Sequence, residues 1–157
     1  MDEACDRDAD GRHSTMAPAN SSQSSLWFLA ERGDAFALET LAAQNEDPNR
    51  RYTAKGTAVL HLAARHGHSA IIRTLLRRKG TDPNVVQASD GMTPLHFAAM
   101  YGHCKAIRIL LADNRVTLHQ RRFDGKDAID VAVNFDNEAA LDELMSAAAT
   151  RHESPLH

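Results

Sequence analysis

The sequence predicts an all-α solenoid of about four helix-turn-helix repeats with hairpin-like connections. Two observations carry that prediction. Short helical patterns come in pairs, each pair joined at Gly33, Gly67, Gly102 or, in the last, Asp136, at spacings of 34, 35 and 34 residues. A fixed period of this size marks stacked supersecondary units, each burying its neighbour's apolar face. The composition agrees: 43% of residues are hydrophobic but only 5% are aromatic, which suits thin layers of Leu, Ile and Ala.

Taken in order, residues 1–23 hold acids, small residues and the run SSQSS without periodicity. They bury too little apolar surface to offset the entropy of ordering and are expected to be disordered. The repeat region is expected over 24–149, in units of about 24–49, 50–84, 85–118 and 119–149, with 150–157 a flexible tail. Setting Gly33 on Gly102 places Leu26, Ala30 and Leu41 on Leu95, Ala99 and Leu110. Asn45 then falls on Asn114, where a left-handed residue is expected to end the helix. In the second unit, Ala58-Val59 stand where the third has Thr93-Pro94. That first helix is therefore expected to lack a side-chain cap worth about 1 kcal/mol. Pro83 then forbids further helix after Gly80.

The third unit is the clearest, from Asp90 to Leu111. Thr93 can accept a bond from a free N–H, and Pro94 follows where a first-turn proline costs nothing. Leu95, Ala98 and Ala99 share one face, and Gly102 ends the helix in the left-handed conformation. Ile107, Leu110 and Leu111 mark the second helix. In the fourth unit Ile129, Ala132 and Leu144 keep the buried spacing, while Asp127-Ala128-Ile129-Asp130 replaces Thr-Pro-Leu-His. Asp136 at the glycine position is expected to be strained, and Glu138, Asp142 and Glu143 give the outer helix the polar surface of a terminal cap.

The stretch TPLHFAAMYGH at 93–103 resembles the ankyrin repeat, with every position of T-P-L-H-x-A-A-x-x-G-H present. The resemblance covers about 24–149: close in the inner two units, looser in the outer two, where Trp27 takes the histidine position and Ser24-Ser25 replace Thr-Pro. It implies that His61 and His96 tie neighbouring repeats together by hydrogen bonds. It also implies a protein-interaction module or adaptor, binding through a concave surface from which the variable motif positions project. Carried onto this sequence, those positions are Lys55, Thr57, Arg65 and His66, then Asp90, Met92, Met100 and Tyr101, then Phe123, Lys126, Asn134 and Phe135. Met92, Met100, Tyr101, Phe123 and Phe135 would form an apolar, aromatic patch of the kind enriched in binding hot spots. Phe123 and Phe135 are equally placed to turn inward and complete the terminal core.

A net charge of −3 conceals a pattern: residues 1–49 carry −7, residues 50–126 carry +10 and residues 127–157 carry −6. Arg50, Arg51, Lys55, Arg121, Arg122 and Lys126 fall in the connections, near the concave side. Arg73, Arg77, Arg78 and Lys79 fall on a second helix, as a solvated convex face. The expected partner is a protein with an acidic surface and an apolar anchor. The acids between Asp2 and Asp10 could compete for the same basic surface.

Other functions find less support. Neither GxxxxGK[ST] nor GxGxxG occurs, and no Ser-His-Asp arrangement is suggested, so no catalytic residue and no cofactor is expected. His66, His68 and His103-Cys104 lack the CxxC or HxxxH spacing of a metal site. A pI near 6.3 and the absence of nucleic-acid-binding patterns speak against that class. No apolar run of about 18 residues exists, and the acidic N-terminus does not read as a signal peptide. The two cysteines suggest no disulfide framework, so a reduced cytoplasmic or nuclear protein, monomeric alone, is expected. Two alternatives are regulatory inhibition of a kinase or other enzyme, and chaperoning the assembly of a larger complex. A chain of four such repeats resembles the small cyclin-dependent-kinase inhibitors in size. Those shorten the first helix of their second repeat, whereas LHLAARHGH here keeps full length. Leu76-Asp82-Asn84 and Leu41-Asp47-Asn49 also have the spacing of asparaginyl-hydroxylase substrates.

Overall fold

The computed structural model describes residues 29–35, 47, 49–51 and 53–153. Expectations for residues 1–28, for Leu41 and Asn45 and for 154–157 lie outside that range. Among the described residues six helices stand in three pairs: α1 Val59–His66 with α2 Ser69–Arg77, α3 Pro94–Met100 with α4 Cys104–Ala112, and α5 Ala128–Asn134 with α6 Glu138–Glu153. A helical turn at 29–32 precedes them and contributes Ala30 to the core. The inner helices α1, α3 and α5 pack in sequence, and the outer helices α2, α4 and α6 pack likewise behind them. Among the described residues the connections form no strand, only an isolated antiparallel bridge between Arg51 and Ala58.

Local chemistry sets each helix start. Thr93 Oγ1 accepts from His96 N–H at 3.4 Å, with Pro94 in the first turn. Ala58 offers no such oxygen, so α1 keeps only half of that arrangement: its N–H donates to His61 Nδ1 at 3.0 Å. Asp127 caps α5 by accepting from Asp130 N–H at 3.0 Å. Replacing the motif histidine by Asp130 has a physical reason. His96 Nε2 reaches the next repeat's Lys126 carbonyl at 3.2 Å, whereas Asp130 accepts from Asp127 N–H within its own turn.

The turns between paired helices need the left-handed conformation twice over. Gly67 sits at φ 71°, and a Cβ there would lie 2.6 Å from Nδ1 of the His103 ring. That ring sits so close because His103 Nε2 donates across the stack to Arg65 O at 2.9 Å. His68 reaches Glu31 O at 3.0 Å in the same way, and Asn137 reaches Met100 O at 2.6 Å. Asp136 takes the left-handed turn at φ 55°, as expected. Asn114 does not: among the described residues Asp136 is the one non-glycine residue with positive φ. Helix α4 instead ends through an extended Asp113 (φ −85°, ψ 119°).

Two further expectations are corrected. Helix α6 runs on to Glu153, although the sequence placed a flexible tail from residue 150. Arg151 explains the extension, because its guanidinium donates to Leu111 O at 2.9 Å, a carbonyl left open in the last turn of α4, and to Val116 O at 2.6 Å in the connection that follows. The terminal cap is also less polar than expected. Val133 and Met145 take the positions of Ala99 and Leu111, which the next repeat covers, and each is 53% exposed.

Candidate functional site

Two buried histidines build the frame. His61 Nδ1 accepts from Ala58 N–H, so the ring proton sits on Nε2, 2.8 Å from Val85 O and 3.0 Å from Met92 O. Those carbonyls belong to the following connection, which His61 thereby ties to α1. Burial pushes the His61 pKa down to about 4, so the ring is neutral at pH 7. His96 is lowered for the same reason. These are structural histidines, as the resemblance implied.

Between these tethered connections and the inner helices α1 and α3 lies a groove of about 610 Å³. Its floor is apolar, from Leu62, Met92, Phe97 and Met100. Its rim carries Lys55, Arg65, Asp90 and Tyr101. Gln87 Nε2 donates to Thr57 Oγ1 at 2.7 Å and joins the two connections at one end. Tyr101 has both a cation and a second ring near it. The Arg65 guanidinium lies 5.8 Å from its ring centroid, and the His103 ring stacks on it at 6.4 Å and 18°. The ring is still 42% exposed.

The predicted surface residues divide unequally. Lys55, Arg65, Met100 and Tyr101 meet in the groove, with Arg65 and Lys55 exposed and Met100 half-buried. Met92 lines it too, but only 3% of it is exposed, so the expectation of a projecting side chain is corrected. Its carbonyl is drawn in by His61 Nε2 and by Gln87 N–H at 2.8 Å, which turns the side chain into the core cluster. His66 lies outside the groove and stacks on His68 at 5.7 Å. Phe123, Lys126, Asn134 and Phe135 belong to the fourth repeat and also lie outside it. Phe123 and Phe135 are 70% and 52% exposed and do not complete the core. Gln87 and Phe97 were not anticipated. Phe97 occupies the unspecified position of the motif, and Gln87 lies in a connection where no periodicity points to it.

Several basic residues of the connections have structural work. Arg51 donates to Val86 O at 3.1 Å and Arg121 to Gly125 O at 3.1 Å. Arg122 pairs with Asp124, whose carboxyl that bond holds at about 2. Among the described residues no three His, Cys, Asp or Glu side chains gather as a metal site requires. No helix there is long and apolar enough to cross a membrane.

The family model for ankyrin repeats in three copies matches residues 10–87, 26–122 and 60–155. The chain belongs to the ankyrin repeat family. No curated protein matches it. Ankyrin repeats are in general protein–protein interaction modules, typically without enzymatic activity. In this ankyrin repeat protein the motif residues Leu95, Ala98 and Ala99 belong to the core of the stack.

Proposed function

We propose that this ankyrin repeat protein is an interaction module whose partner binds the groove between the second and third repeats. The partner contributes an apolar anchor flanked by acidic residues. The carrying observation is Tyr101, an exposed aromatic supported by Arg65 and His103 beside the half-buried Met100. A ring already held in place loses little freedom on binding, which favours it as a hot spot. Charge supports the same reading: Lys55 and Arg65 face one acid on the rim, and Asp90 already accepts from Met92 N–H at 3.2 Å.

Affinity capture with the wild-type chain and with Tyr101→Ala/Arg65→Ala tests this, followed by titration of the captured protein. The double variant should weaken binding by about 30-fold or more, equivalent to about 2 kcal/mol. Added salt should weaken the wild type further. Phe123→Ser/Phe135→Ser should bind as the wild type does. Equal capture by the groove variant and loss with the Phe123/Phe135 variant would move the site to the fourth repeat.

A further inference from the structure

The opposite, convex side carries a second groove of about 400 Å³ between α2 and α4. Leu76, Ile109 and Ala112 form an apolar floor, surrounded by Arg73, Arg77 and Arg108 and by one acid, Asp113, which Arg115 neutralises at 2.6 Å. Arg108 is engaged by Glu143 of α6 at 2.8 Å. Arg73 and Arg77 are exposed, one helical turn apart on α2. Two helices along, the sign reverses. Glu138, Asp142 and Met145 lie at spacings of four and three on α6, so they form one stripe, and all three are exposed. The stripe is acidic with an apolar anchor, Met145, at 53% exposure. Both the shape and the sign of the α2–α4 groove fit it. In one chain the two cannot meet, because α4 packs between α2 and α6.

We propose that two copies of this chain pair back to back, each laying the outer stripe of α6 into the α2–α4 groove of the other. A two-fold axis parallel to the outer helices and passing by α4 produces this arrangement, setting α2 of one copy against α6 of the other in both directions. Offsets of 35 and 34 residues between Gly67, Gly102 and Asp136 make positions of α2 and α6 equivalent, and an axis parallel to the helices keeps their level, so Asp142 faces Arg73 and Met145 rests on Leu76. Glu138 lies one turn before that pair and Arg77 one turn after it, so Arg73 serves both carboxylates and Arg77 reaches Asp142 diagonally. The stripe from 138 to 149 is about 18 Å long, so the pair is small, weak and salt-sensitive, in place of the monomer expected from sequence.

Sedimentation equilibrium of the full chain at low salt, up to about 1 mM, tests the pairing. The average mass should rise with concentration toward two chains and no further. Arg73→Glu/Arg77→Glu and, separately, Glu138→Arg/Asp142→Arg should each weaken association at least about 10-fold. An equimolar mixture of these two variants should pair again, because both of its interfaces are attractive. That restoration also shows that neither variant had merely unfolded. A monomer throughout the range, growth beyond two chains, or a mixture that does not pair overturns the proposal. So does a dimer indifferent to both reversals, the result expected if copies met through Phe123 and Phe135 or if another acidic segment filled the groove.

Discussion

Gly67 carries two requirements that substitution can separate. Its φ of 71° disfavours any side chain, at a cost of about 1–2 kcal/mol for the left-handed conformation. Beyond that, a Cβ would lie 2.6 Å from Nδ1 of His103, and the ring would have to move. Moving it loosens the 2.9 Å bond to Arg65 O, worth about 1 kcal/mol, and strains packing by about 1–3 kcal/mol more. Gly125 isolates the first requirement, since its φ is 85° but nothing lies within 4 Å of a Cβ there. The smaller conformational freedom of unfolded alanine enters both variants alike. Urea unfolding should therefore give a loss of about 1 kcal/mol for Gly125→Ala and about 3 kcal/mol or more for Gly67→Ala. Adding His103→Ala to Gly67→Ala should cost less than the two separate losses combined, because they remove the same contact. If Gly67→Ala and Gly125→Ala agree within about 0.5 kcal/mol, the margin of ordinary additivity, the close approach of His103 does not contribute.

Two further outcomes follow from named bonds. His61 has a folded pKa of about 4 against 6.5 unfolded, so between those values the unfolded chain binds more protons. Its contribution is full above pH 6.5 and is lost as pH falls toward 4, by about 3 kcal/mol. The lowered His96 acts in the same direction. Unfolding free energies at pH 7 and pH 4.5 should show a smaller acid loss for His61→Gln than for wild type; equal losses would assign the acid sensitivity elsewhere. Arg151→Ala should leave the carbonyls of Leu111 and Val116 without their guanidinium donor. Hydrogen exchange should then quicken in the last turns of α6 while the protection of α3 is unchanged.

Most of the architecture was legible because each repeat states its own local rules. Pro94 after Thr93, Gly102 past Met100 and the spacing of Leu95, Ala98 and Ala99 belong to one helix and its ends, where chemistry acts within a few residues. The roles of His61 and His96 came through the family resemblance, and the structure supplies their partners. The end of α6 was less legible. Its final turn depends on Arg151 meeting carbonyls 35 and 40 residues earlier, a contact that no periodicity announces. Asn114 was misjudged because Asp113 ends α4 in an extended conformation and leaves no left-handed position to fill.

The candidate surface divides along the same line. By itself the sequence determined the repeat period, the helix pairs, the stack-building residues and which positions the stack does not use, because stacking fixes which side of each short helix must be buried. Only the tertiary structure decided how those leftover positions are shared out. It drew Met92 inward through the His61 and Gln87 bonds, gathered Arg65, Met100 and Tyr101 with Lys55 around one groove, and left Phe123 and Phe135 apart on the fourth repeat. It also set the basic α2 and the acidic α6 on a common convex side. The reason is that grooves form between repeats. Their walls come from residues about one period apart, and the register of two neighbouring repeats is set by bonds across the stack rather than by the pattern within either.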